Sequence, residues 1–139
     1  MTVVNKTIQI RTHGESDMVD ITSQISQVVN ESGINNGTVT VFIAGSTAGI
    51  TTIEYEDGVL SDFKGMWDRN VPKNITYQHD RRWGDGNGYS HVRASLLGAS
   101  LVIPLMSKRM TLGTWQQIIV VDFDNRSRSR EIIVQIMGE

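Results

Sequence analysis

The chain reads as one α+β domain spanning residues 1–139, a mainly antiparallel sheet system with helices packed to one side. Three observations predict this. Segments of strand length, rich in β-branched residues, lie at both ends of the chain. Segments between them repeat apolar residues at helical spacing. Strands and helices do not alternate in the regular order that a parallel βαβ sheet requires. With 139 residues, 39% of them hydrophobic and 20% charged, the chain can bury a core without covalent staples.

The order of elements follows from local pattern. Thr2–Thr12 is a strand, with Val4, Ile8 and Ile10 sharing one parity with Lys6. A helix follows, in which Ile21, Ile25, Val28 and Val29 recur at helical spacing. Asp20 or Thr22 is its cap, and Gly33 stands just past its end. Asn36-Gly37 signals a turn into a buried strand, Thr38–Ile43. The small residues Ala44–Gly49 interrupt it before a further strand, Ile50–Tyr55. Asp57 is the expected cap of a second helix, whose apolar stripe is Val59, Leu60, Phe63, Met66 and Trp67; Asn70 and Pro72 end it. Gln78–Tyr89 is polar and glycine-rich and reads as an irregular loop, followed by a short helix over Ser90–Leu97 closed by Gly98. Strands are expected over Ser100–Leu105 and Thr114–Phe123. Ile118–Val121 is apolar on both parities and so is covered on both faces. Asp124-Asn125 is read as the turn of a hairpin whose second strand is Arg128–Met137.

Composition excludes several classes of function. No cysteine is present, which removes disulfides, thiolate zinc sites and a cysteine nucleophile. A net charge of −2 argues against nucleic acid as a partner. No apolar run is long enough to span a membrane, and the first residues lack a basic segment followed by an apolar one, so a cytoplasmic protein with no membrane partner is expected.

The chemistry-bearing residues are few. Apart from His13, the histidines are His79 and His91, which flank the glycine-rich segment. If that segment folds back on itself, both imidazoles reach one divalent cation, with Glu54, Asp57, Asp80 or Asp85 supplying oxygen. The alternative is two polar surface histidines. Glu54 interrupts an apolar strand and is paired, ligating or simply exposed. Arg126, Arg128 and Arg130 share one parity that continues into Ile132, Val134 and Ile136, placing the arginines at the rim of a buried stripe. They form an anion site or an ion-pair cluster, the latter at the surface or between subunits. Gly84–Gly88 presents backbone N–H groups to an anion or acts as a turn; it matches no P-loop or dinucleotide fingerprint. Trp115 is a core candidate, and Gln116 needs a partner from ligand or backbone.

Taken together, the residues His79…Gly86-Asn87…His91, Ser95-Leu96-Leu97-Gly98, Ile103-Pro104, Leu112-Gly113-Thr114-Trp115-Gln116, Arg130 and Gly138-Glu139 resemble the YjbQ-like family across nearly the whole chain. The resemblance implies a β-sandwich-like arrangement with helices on one side, a homotrimer, and a cleft with histidines that holds a metal in some members. By position it carries over His79, His91, Asn87, Gln116, Arg130 and Glu54. It also implies secondary thiamine-phosphate synthase activity, the coupling of a hydroxymethylpyrimidine diphosphate to a thiazole phosphate with release of pyrophosphate. On that reading His79, His91 and Glu54 hold zinc or magnesium, and His79, His91, Glu54 and Gln116 are catalytic. Asn87, Arg128 and Arg130 bind phosphate, and Trp83 stacks on the pyrimidine. The chain departs from the family pattern at Gly45, where many relatives have a histidine. The alternatives are a trimer that binds a small anionic metabolite without turnover, and a metal-dependent hydrolase.

Overall fold

The computed structural model describes residues 1–139 and contains two packed antiparallel sheets. In chain order the elements are β1 (Thr2–Thr12), β2 (Asp17–Asp20), α1 (Thr22–Ser32), β3 (Gly37–Ile43), β4 (Ala48–Ile53), α2 (Asp57–Asn70), α3 (Gln78–Trp83), α4 (Gly88–Leu97), β5 (Ser100–Met106), β6 (Arg109–Met110), β7 (Gln117–Asp122) and β8 (Arg128–Gly138). Five strands form one sheet in the order β1-β8-β3-β5-β6, and three form the other in the order β2-β7-β4.

The alternation of the strands sets the layers. Val39, Val41 and Ile43 of β3, Ile103 and Leu105 of β5, and Ile132, Val134 and Ile136 of β8 face inward. They meet Ala48, Ile50, Ile118 and Val120 from the smaller sheet. Helix α1 adds Ile25, Val28 and Val29 to this same core, so it fills the space between the sheets rather than lying outside them. The opposite parity of β7, Ile119 and Val121, packs with Trp67, Val71, Tyr89, Ala94 and Phe123 under α2 and α4. Ile118–Val121 is thus fully buried on both faces, as its unbroken apolar run requires. The far face of the five-stranded sheet has no helix over it and leaves Phe42, Val102, Met106, Ile133 and Met137 exposed.

Five sequence expectations change. Ile21 stands at the N-cap of α1 with no side-chain cap, between the expected caps Asp20 and Thr22; Asp20 accepts from the Thr22 backbone N–H and hydroxyl instead. Asp124-Asn125 does not close a hairpin: β7 and β8 belong to different sheets, and the chain crosses between them there. Gln78–Trp83 is a helix, ended by Gly84 in the left-handed conformation; it is short and polar, so it shows no apolar stripe. Glu56, not Asp57, caps α2, its carboxylate accepting from the backbone N–H groups of Gly58 and Val59. Trp115 precedes β7 and is 72% exposed, so it is not a core residue. The strands β2 and β6 are too short to show a pattern.

Three connections cross between the sheets at one end of the sandwich: β1 to β2, β3 to β4, and β7 to β8. That end is where the inner stripes turn polar.

Candidate functional site

The stripe Ile118, Val120 of β7 continues as Asp122 and Asp124, and the stripe Val134, Ile132 of β8 runs back to Arg130 and Arg128. The two stripes face each other across the core, so their charged ends meet. Arg130 grips Asp122 with a fork: Nε donates to Oδ2 at 2.7 Å and Nη2 to Oδ1 at 2.9 Å. Its Nη2 also donates to the Thr47 hydroxyl at 2.6 Å. Arg128 donates from Nε to Asp124 at 2.6 Å. Both aspartates are 0% exposed and Arg130 is 7% exposed. Asp124 also accepts from Thr47, from the Asn87 amide and from the Asn125 backbone. Burial acts to raise the pKa of Asp124, but these hydrogen bonds and the one from Arg128 outweigh it and hold the carboxyl below the ordinary value.

This buried ionic cluster floors a pocket. Its lining is Gly45, Ser46 and Thr47 from the β3–β4 crossing, His79 and Trp83 of α3, Asp85, Asn87 and His91 around the start of α4, and Arg128 and Arg130. Gly88 lets α3 approach α4, since a Cβ there would fall 2.6 Å from Cβ of Tyr77. Asp80 accepts from the Gly88 backbone N–H at 2.8 Å and ties the two helices together. The His79 and His91 rings therefore lie against each other, centroids 4.4 Å apart and planes tilted by 41°.

His79 Nδ1 lies 3.3 Å from a carboxylate oxygen of Asp85 and 3.5 Å from one of Asp80. It is buried and makes no hydrogen bond. The three ligand atoms lie within 4.8 Å of one another. Ligand atoms around a tetrahedral zinc, at bond lengths of about 2.0–2.2 Å, stand roughly 3.3 Å apart. The donor set of one imidazole and two carboxylates thus fits a divalent ion.

Seven of the chemistry-bearing residues singled out from sequence therefore line one pocket: His79, His91, Asp85, Asn87, Trp83, Arg128 and Arg130. His91 neighbours His79 at a tilt and stands outside the group of ligand atoms, which Asp80 and Asp85 complete instead. Glu54 does not reach the pocket. It lies exposed past the far end of β4 from Thr47, about 20 Å along the strand at ~3.3 Å per residue. Gln116 lies at that far end too, its amide donating to the Thr52 hydroxyl and accepting from the Gly113 backbone. Arg126 is exposed outside the pocket. Asp122, Asp124 and Thr47 were missed. The signal for the aspartates is present in the sequence, because Ile118, Val120, Asp122 and Asp124 alternate just as Arg128, Arg130, Ile132 and Val134 do, with opposite charge.

The sequence matches the model of the family described as UPF0047 protein YjbQ-like over residues 6–139. A UPF0047 protein of Methanothermobacter thermautotrophicus is 39% identical over 100% of this chain and 95% of its own length. The UPF0047 protein YugU of Bacillus subtilis is 34% identical over 96% of this chain and 98% of its own. Among solved structures, a YbjQ-like protein of unknown function from Sulfolobus solfataricus superposes with a TM-score of 0.94 at 35% identity, covering 99% of each chain. A protein of the same family from Clostridium acetobutylicum gives 0.86 at 33% identity, over 95% of this chain and 99% of the other. With matching sequence along nearly all its length and a matching fold, the chain belongs to the YjbQ/UPF0047 family.

Proposed function

We propose that this pocket is the site of a metal-assisted enzyme with secondary thiamine-phosphate synthase activity, acting in the cytoplasm on small phosphorylated metabolites. One observation carries the proposal. A single pocket brings together two guanidiniums anchored from behind by buried aspartates and an imidazole nitrogen flanked by two carboxylates.

In the reaction, the C–O bond between the pyrimidine methylene and its diphosphate breaks. The thiazole ring nitrogen forms the new C–N bond to that carbon, and pyrophosphate departs with the electron pair. Arg128 and Arg130 bind the diphosphate and offset the charge it gains on leaving. On this reading His91, which lines the same pocket, gives a proton to the departing group. Trp83, exposed beside the pocket, offers a face for the pyrimidine. Zinc or magnesium would be held by His79, Asp80 and Asp85 and would supply further neutralisation of the leaving diphosphate. Because Glu54 and Gln116 lie far from the pocket, neither takes part within one chain. That distance favours, as a second reading, a binder of a small anionic metabolite that does not turn it over.

We also propose that the chain forms a homotrimer, supported by the uncovered apolar face of the five-stranded sheet.

Metal content by mass spectrometry, beside assays of thiamine phosphate formation, tests the enzymatic reading. About one divalent ion per chain is expected in the wild type, lost in His79→Ala and Asp85→Asn together with product formation. Absence of both ion and product after incubation with zinc or magnesium would sink it. Bound pyrophosphate without product would leave the binder.

A further inference from the structure

We infer that Gly45 decides what this pocket accepts, by keeping Nη1 of Arg130 uncovered as the seat of a phosphate or diphosphate oxygen. The inference rests on the reading of the pocket as a ligand site and names the atom that recognises the ligand. Nε and Nη2 of Arg130 are committed to Asp122 and Thr47, whereas Nη1 has no protein partner. The guanidinium is nearly buried, and Nη1 borders the space that a side chain at Gly45 would take. A Cβ at position 45 would lie 2.9 Å from Nη1. The arginine cannot step aside at little cost. Its guanidinium is a rigid plane, so moving Nη1 drags Nε and Nη2 off Asp122. Gly45 also holds φ at +119°, a conformation strained for any other residue.

The polarity of the cluster suits an oxyanion. Arg128 and Arg130 line the pocket, while Asp122 and Asp124 lie fully buried and are absent from its lining. An incoming anion meets N–H donors on the arginine wall, with the Asp85 carboxylate, beside His79, as the one acidic group in the lining. Arg128 spends only Nε on Asp124, so its Nη groups are further donors in the same pocket. This arrangement takes a phosphate monoester, or a diphosphate spanning both arginines. A side chain at position 45 would close it.

The test is a titration of uniformly ¹⁵N-labelled protein with inorganic phosphate and then pyrophosphate, read by NMR on the guanidinium and imidazole signals. The expected result is a saturable shift of the Arg130 signals. Arg93, which is equally buried but bonded to Ser16 and Val71 away from the pocket, stays unmoved. Gly45→Ala, folded by the same spectra, is expected to bind about tenfold more weakly or worse. Saturable binding that shifts His79 and His91 but not Arg130 overturns the inference and leaves the ligand site standing, as does unchanged affinity in Gly45→Ala. No binding of either anion overturns the ligand site as well. Should Gly45→Ala fail to fold, the wild-type titration decides by whether Arg130 moves.

Discussion

Asp122, fully buried, and Arg130, nearly so, share two hydrogen bonds, and each carries the only charge that offsets the other at that distance. Removing one partner leaves a buried charge. Arg130→Met and Asp122→Leu are therefore each expected to lose about 3–5 kcal/mol in urea unfolding, with a smaller loss in the double variant than the sum of the two. Two further groups give stability a dependence on pH. The Asp124 carboxyl has its pKa depressed in the fold relative to the ordinary 3.8. Its contribution is present above the ordinary carboxylate range and lost as pH falls through the folded value. Tyr89 moves the other way: burial, reinforced by the nearby Glu15 charge and opposed by Ser90 and Arg93, lifts it from 10.0 to about 12. Its contribution holds below pH 10 and disappears as the pH rises toward about 12. Urea midpoints measured across pH should fall at both extremes. Asp124→Asn should flatten the acid limb, and Tyr89→Phe the alkaline one.

The pair α3 and α4 positions the imidazoles, and its geometry depends on one missing side chain. Gly88→Ala would press a methyl group on Tyr77 and Asp80, separating the two helices. The expected cost is about 1–3 kcal/mol of stability, read by thermal unfolding. A loss of metal affinity at temperatures where the variant is still folded is also expected, because His79 and Asp80 ride on α3 while His91 rides on α4. Unchanged metal uptake in a folded Gly88→Ala protein would show that the helix contact does not set the site. α3 is also the element least visible in the sequence. Its residues, QHDRRW, have no apolar face of their own, and the helix is held by Asp80 and by contact with α4. By contrast α1, α2 and β7 declare themselves, because their burial is periodic or continuous.

The two sheets differ in how they are finished. The three-stranded sheet is covered by α2 and α4, while the outer face of the five-stranded sheet presents Phe42 beside Ile133 and Val102 at 59% exposure. For the proposed trimer, sedimentation is expected to give a trimer mass for the wild type and a monomer for a Val102→Glu, Ile133→Lys variant, both with the native circular dichroism spectrum. A wild-type monomer at micromolar concentration would refute it. The same asymmetry explains the place of the pocket. Three of the crossings between sheets, β1 to β2, β3 to β4 and β7 to β8, gather at one end, and there the aliphatic stripes of β7 and β8 give way to Asp122, Asp124, Arg128 and Arg130.

Local pattern settled the α+β class, most strands and the stripe of arginines at the rim of a core, and it brought His79 to His91 only on the condition that the segment between them folds back. Each of these follows from periodicity or from short-range chain reversal, which neighbouring residues control. Local pattern could not say that β7 and β8 lie in different sheets, because a turn and a crossing use the same residues. Nor could it separate Glu54 from Thr47, which begin near each other in the chain and end at opposite ends of one extended strand. The aspartates opposite the arginines, and Gly45 beneath Nη1 of Arg130, were brought into place by packing between sheets. Long-range burial, and the need to pair every charge it traps, decided the site.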